Sequence, residues 1–92
     1  MTSAEVSLAD PLAQLIEGKS NIQVESGTIG EVLSRIAEEY PALRSAVWPG
    51  KSGPSPFLAI FIDDEDYRLR EGLETKVQPG SVIRLLPALS GG

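Results

Sequence analysis

Apolar and polar residues alternate along Glu5-Val6-Ser7-Leu8-Ala9 and again along Asn21-Ile22-Gln23-Val24-Glu25. A period of two puts one set of side chains in a core and the other in water, so each segment predicts a half-buried strand. Asp10-Pro11 interrupts the first, because proline has no N–H for a ladder, and Leu12 to Ile16 then read as an irregular edge. Glu17-Gly18-Lys19-Ser20-Asn21 reads as the turn that joins the two strands into a hairpin. After Thr28 the period changes. Ile29, Val32, Leu33, Ile36, Ala37 and Tyr40 recur at helical spacing. Thr28 and Glu31 have the spacing of a capping box, in which each side chain bonds the other's backbone N–H. Pro41 ends the run, since the residue before a proline is pushed out of the helical region. Leu43 to Trp48 form a short helical turn or an irregular segment.

Phe57-Leu58-Ala59-Ile60-Phe61-Ile62 is apolar without interruption and reads as a central strand. Asp63 to Asp66 make the following turn, Thr75-Lys76-Val77 a short edge strand, and Gln78 to Ser81 another turn. Val82-Ile83-Arg84-Leu85-Leu86 is the last strand, stopped by Pro87. Two strands, a helix, then returning strands predict an α+β fold: a mixed sheet of about four to five strands with one main helix packed on one face. That is a ubiquitin-like β-grasp, with the last strand inside the sheet. The chain reads as one domain over 1–92, with a flexible C-terminal tail at 87–92.

A single helix covers one face of a sheet and leaves the other to water. Ser7 and Gln23 fit a polar outer face, but the 57–62 run is apolar in both parities. The expected parity turns Leu58, Ile60 and Ile62 toward the helix with Ile83 and Leu85. Phe57, Ala59 and Phe61 then point outward beside Arg84 and Leu86. Exposed aromatics with an arginine resemble the core of a binding surface. The competing reading covers Phe57 with the 49–56 loop and Phe61 with the 63–72 turn.

Charge narrows the partners. Eight Lys and Arg against thirteen Asp and Glu give a net charge of −5. Nucleic acid is disfavoured, because phosphate binding runs on displaced counterions, and an anionic membrane is disfavoured for the same reason. With no Cys and no His, thiolate nucleophiles, Cys/His zinc sites and imidazole bases are closed to this chain. The start Met1-Thr2-Ser3-Ala4-Glu5 lacks the basic-then-apolar order of a signal peptide, which predicts a cytoplasmic protein, a monomer when free. Gly50-Lys51-Ser52 is not a phosphate loop: the first glycine would be Ser45, and Pro54 and Pro56 forbid the following helix. The acidic run 63–66 lacks the spacing of a calcium loop, so no metal site is expected.

The chain closes on Gly91-Gly92, a pair expected by chance at about one terminus in 200. Together with Asp66-x-Arg68-x-x-x-Gly72-Leu73-x-Thr75-x-Val77, the helix opening Thr28-Ile29-Gly30-Glu31-Val32-Leu33 and its close Glu38-Glu39-Tyr40-Pro41, this ending resembles the MoaD/ThiS family of ubiquitin-like sulfur carriers. The likeness covers almost the whole chain and is nearest to the longer, CysO-like members, the carriers of cysteine biosynthesis. Ser81 and Ser90 depart from the family pattern, where Asp and a small apolar residue are usual. The resemblance implies a carrier and co-substrate rather than an enzyme. An E1-like partner uses ATP and Mg²⁺ to adenylate the Gly92 carboxylate, and a sulfur donor converts it to a thiocarboxylate for a sulfur-accepting biosynthetic enzyme. Cysteine, methionine, thiamin and sulfur-containing metabolites are all open as products. No cofactor is bound by the carrier itself. Gly91 gives the tail access to a narrow site, because it has no Cβ. Phe57, Phe61, Arg84, Leu86 and Leu89 are the expected partner contacts. Three alternatives stand beside this: the small subunit of a molybdopterin synthase, a ubiquitin-like protein modifier, and a binding module whose glycines are incidental.

Overall fold

The computed structural model describes residues 3–49, 53–55 and 58–87. In chain order the elements are β1 (Ser3–Leu8), α1 (Asp10–Ala13), β2 (Asn21–Glu25), β3 (Gly27–Thr28), α2 (Ile29–Glu39), α3 (Arg44–Val47), β4 (Leu58–Ile62), β5 (Glu65–Asp66), β6 (Lys76–Val77) and β7 (Val82–Pro87). Five strands form one mixed sheet in the order β2-β1-β7-β4-β5. β1 runs parallel to β7 and antiparallel to β2, while β4 is antiparallel to β7 and β5. This is the β-grasp arrangement the order of elements predicts.

α2 forms where the spacing places it. Thr28 Oγ1 accepts from the Glu31 N–H at 3.2 Å, and Glu31 Oε1 accepts from the Thr28 N–H at 2.9 Å, so two otherwise orphaned donors are satisfied. Ile29, Val32, Leu33, Ile36 and Ala37 are buried along one stripe. Pro41 follows Tyr40, whose N–H closes the last turn onto the Ile36 carbonyl at 2.8 Å. The stripe packs on Val6, Ile60, Ile62, Ile83 and Leu85, all at most 1% exposed. Burying a side chain of this size stabilises the fold by about 1.5–3 kcal/mol.

Two local readings change, and one that stood open is decided. Leu12 to Ile16 are not an edge: Pro11 sits in the first turn of α1, where a missing N–H costs nothing, and Gln14–Ile16 continue as a 3₁₀ turn. Leu12 and Ala13 are buried, so this connection lids one end of the core rather than making a tight hairpin turn. Leu43 to Trp48 resolve as helical, with α3 following a 3₁₀ turn at Pro41–Leu43. Val77 does not join the edge of the main sheet. β6 pairs instead with β3 in a separate two-stranded sheet, clamping the start of α2. β4 is an interior strand, as its apolar run predicts, and lies next to β7 at the middle of the sheet.

Two turns around β7 are built differently. Pro79-Gly80 precedes it, with Gly80 at φ +87 and the Ser81 N–H donating to the Gln78 carbonyl at 3.0 Å. A side chain is strained at that φ, which is why the turn uses glycine. Asp63 and Asp64 turn β4 into β5 with φ of 49 and 70, a two-residue hairpin loop made without glycine.

Candidate functional site

Side-chain parity on β4 and β7 is the expected one. Leu58, Ile60, Ile62, Ile83 and Leu85 are buried on the helix side. The opposite face is assembled by register. Phe61 stands between Asp66 of β5 and Arg84 of β7, and Ala59 stands beside Leu86. The row continues from Arg84 to Ser7 of β1 and Asn21 of β2. Ala59, Phe61 and Leu86 are each half-buried and Arg84 is exposed. Of the expected contact residues, Phe61, Arg84 and Leu86 therefore share one patch. Phe57, Leu89, Gly91 and Gly92 lie outside the described residues.

Ionic pairs frame the patch. Arg84 Nη1 lies 2.9 Å from Asp64 Oδ1. On the other side of Phe61, the Asp66 carboxylate takes two bonds from the Arg68 guanidinium, at 2.8 and 3.1 Å, and one from the Arg68 backbone N–H at 2.9 Å. The guanidinium, and then that N–H, hold the Asp66 carboxyl below its usual range. Arg70 Nε donates to Glu65 Oε1 at 2.7 Å. An apolar centre ringed by charged groups is the anatomy of a protein interface in miniature.

Reading 63–66 as a solvated turn missed a division of labour. Asp63 turns toward the start of β7: its carboxylate accepts from the Val82 N–H at 3.1 Å and from Ser81 Oγ at 3.2 Å. Its own N–H donates to the Val82 carbonyl at 2.9 Å. Asp63 thus pins the start of β7, and Asp64 is left to hold Arg84. Ser81 is buried, so its hydroxyl needs the partner that Asp63 supplies. The pairing of an early acid with a hydroxyl eighteen residues on has no local signature in sequence.

At the far end of β7, Pro87 borders a groove of about 320 Å³ lined by Leu12, Ser45, Ala46, Ser55 and Leu58.

A model of the ThiS family matches residues 6–92. The chain belongs to the ThiS family. Sulfur carrier protein CysO of Mycobacterium tuberculosis is 30% identical over 91 residues, covering 95% of this chain and 96% of that protein. The solution structure of the small archaeal modifier protein 1 of Methanosarcina acetivorans superposes with a TM-score of 0.85 at 26% identity, over 100% of this chain and 98% of its own. A chain in the crystal structure of the Amycolatopsis orientalis BexX/CysO complex gives 0.82 at 24% identity, over 97% of this chain and 99% of its own, a likeness of fold. As a ThiS-family chain it carries the β-grasp scaffold along nearly its whole length, and the family match runs through both the outward patch and the terminal glycines.

Proposed function

We propose that this chain is a cytoplasmic sulfur carrier whose reactive group is the α-carboxylate of Gly92. The carboxylate attacks the α-phosphate of ATP on an E1-like partner, and pyrophosphate leaves. Sulfide-level sulfur then attacks the acyl carbon, AMP leaves with the bridging oxygen, and a thiocarboxylate remains for a biosynthetic enzyme to consume. The observation that carries this reading is the family match from residue 6 through residue 92, which takes in Gly91-Gly92.

The domain's own contribution is delivery. Five residues follow Pro87, and five fully extended residues span about 17 Å at most. A partner that grips the patch of Phe61, Arg84 and Leu86 therefore needs its adenylation site within that radius of Pro87. Gly91 keeps the last step of the approach free of a Cβ. On this reading the chain is a co-substrate and the partner is the enzyme.

The test is the intact mass of the chain after incubation with its activating enzyme, ATP and a sulfur donor. The expected result is the gain that accompanies exchange of one oxygen for sulfur, absent in a Gly92-deleted chain. An unchanged mass with a partner that demonstrably releases pyrophosphate overturns the reading. The likeness to an archaeal modifier protein favours one second reading, attachment to lysines of other proteins. Adducts of higher mass in cells, lost with Gly92, are its signature.

A further inference from the structure

The main sheet ends on β2, and α2 runs alongside that edge. Between them lies a groove of about 220 Å³ lined by Gln23, Val24, Glu25, Arg35, Ile36 and Glu39. Val24 is half-buried and Ile36 buried, so the floor is apolar.

The ladder fixes which backbone groups of β2 are free. The Leu8 N–H donates to the Ser20 carbonyl at 2.8 Å, and the register continues through Val6 with Ile22 and Ala4 with Val24. Hydrogen-bonded pairs alternate in an antiparallel ladder, so Ile22 and Val24 turn their N–H and C=O toward β1. Asn21, Gln23 and Glu25 turn theirs outward. The other side of β1 agrees, since the Glu5 and Ala9 N–H groups donate to Ser81 and Leu85 there. The Glu25 carbonyl accepts from Arg35 Nη1 at 3.4 Å, closing one end of the edge. The backbone N–H and C=O of Gln23 have no protein partner among the described residues.

Charge says what kind of strand fits. Glu25 and Glu39 line the groove, while its one cation, Arg35, lies 3.6 Å from the Glu25 carboxylate. Glu5 stands beside Gln23 on the outward face. A strand added here would set alternate side chains into the groove and the others beside Gln23 and Glu25.

We propose that β2 and α2 form a docking groove for an extended segment of a partner protein, with small branched apolar residues alternating with lysine or arginine. The segment adds as a sixth strand by exchanging two hydrogen bonds with Gln23. β2 lies two strands from β7, so this occupant leaves Phe61, Arg84 and Leu86 uncovered. The site would hold the carrier while its tail is used elsewhere, and it stands whether or not the sulfur-carrier reading does.

The probe is the peptide acetyl-Lys-Val-Lys-Val-Lys-amide, titrated into the full chain and followed by amide NMR shifts. Shifts confined to 21–25 and 35–39 are expected. The same peptide N-methylated at its central lysine keeps its charge but loses the N–H aimed at Gln23, and should bind about tenfold more weakly. Gln23→Pro removes the outward donor on the protein side and should weaken the parent peptide similarly, with Gln23→Ala, which keeps that N–H, as the control for the lost side chain, and the spectrum of each variant reporting that it folds. Equal binding of the N-methylated peptide means charge attraction alone and overturns the proposal. So do shifts centred on β4 and β7, or no shifts at millimolar peptide, which would make Arg35 a guard that protects the edge.

Discussion

The two sides of β4 are alike in composition and opposite in fate. Leu58, Ile60 and Ile62 are buried on the helix side of the sheet, whereas Ala59 and Phe61 remain half-buried on the other face next to Arg84 and Leu86. Hydrophobicity alone does not separate them. What does is the supply of covering elements: one long helix is available, and it lies on one side. The apolar residues on the uncovered side form a patch that α2 does not reach.

The largest test of that contrast is a pair of truncations. Ile60→Ala should cost about 2–5 kcal/mol, because it removes packed methyls and leaves a cavity. Phe61→Ala should cost clearly less, about 1 kcal/mol or below, since its ring is already partly in water. Denaturant unfolding of both variants decides, and equal losses would erase the distinction between the faces. On the functional side the order should invert. Phe61→Ala combined with Leu86→Ala should raise the KM of partner-dependent pyrophosphate release about tenfold or more, with the fold intact, as interface anchors do.

A smaller contrast sharpens the same point one turn away. Asp63→Ala leaves the buried Ser81 hydroxyl and the Val82 N–H without their acceptor and should cost about 1–3 kcal/mol. Asp64→Ala breaks only an exposed pair with Arg84 and should cost about 0–1 kcal/mol, and less still in high salt. Thermal or urea midpoints at two ionic strengths separate them.

The smallest effect is a dependence on pH. The Asp66 carboxyl is held below its usual range by Arg68, so it binds a proton less readily in the folded chain than in the unfolded one. Its contribution is fully present above the unfolded value near pH 4, and is lost as pH falls through the lower folded value. Comparing Asp66→Asn with the parent from neutral pH downward, the gap in stability should be widest near neutrality and close in acid. A gap that widened in acid would reverse the assignment.

The sequence spelled out much of this where one local signal decides one local outcome. Thr28 and Glu31 announce the start of α2, Pro41 its end, and the two late apolar runs the strands Leu58–Ile62 and Val82–Pro87, although Pro87 pairs with Leu58 as the last residue of β7 instead of stopping it or opening the tail. It was silent where the deciding contact is distant. Leu12 and Ala13 become helical because burying them closes the core, a gain no window around Pro11 reveals. Lys76-Val77 pairs with Gly27-Thr28 because the capping residue of α2 is also a strand residue, and one position serving two elements looks like either alone. At the candidate site the apolar members were legible from parity. Asp63 and Asp64 were not, because two adjacent aspartates differ only in which neighbours the turn brings to them.

The placement of β7 has a mechanical consequence. It is held along both edges, by β1 running parallel and β4 antiparallel, and the tail leaves from its end. A pull on that tail loads both ladders in shear, so the hydrogen bonds share the force instead of opening one at a time. A force drawn along β7 therefore meets a domain that keeps its shape.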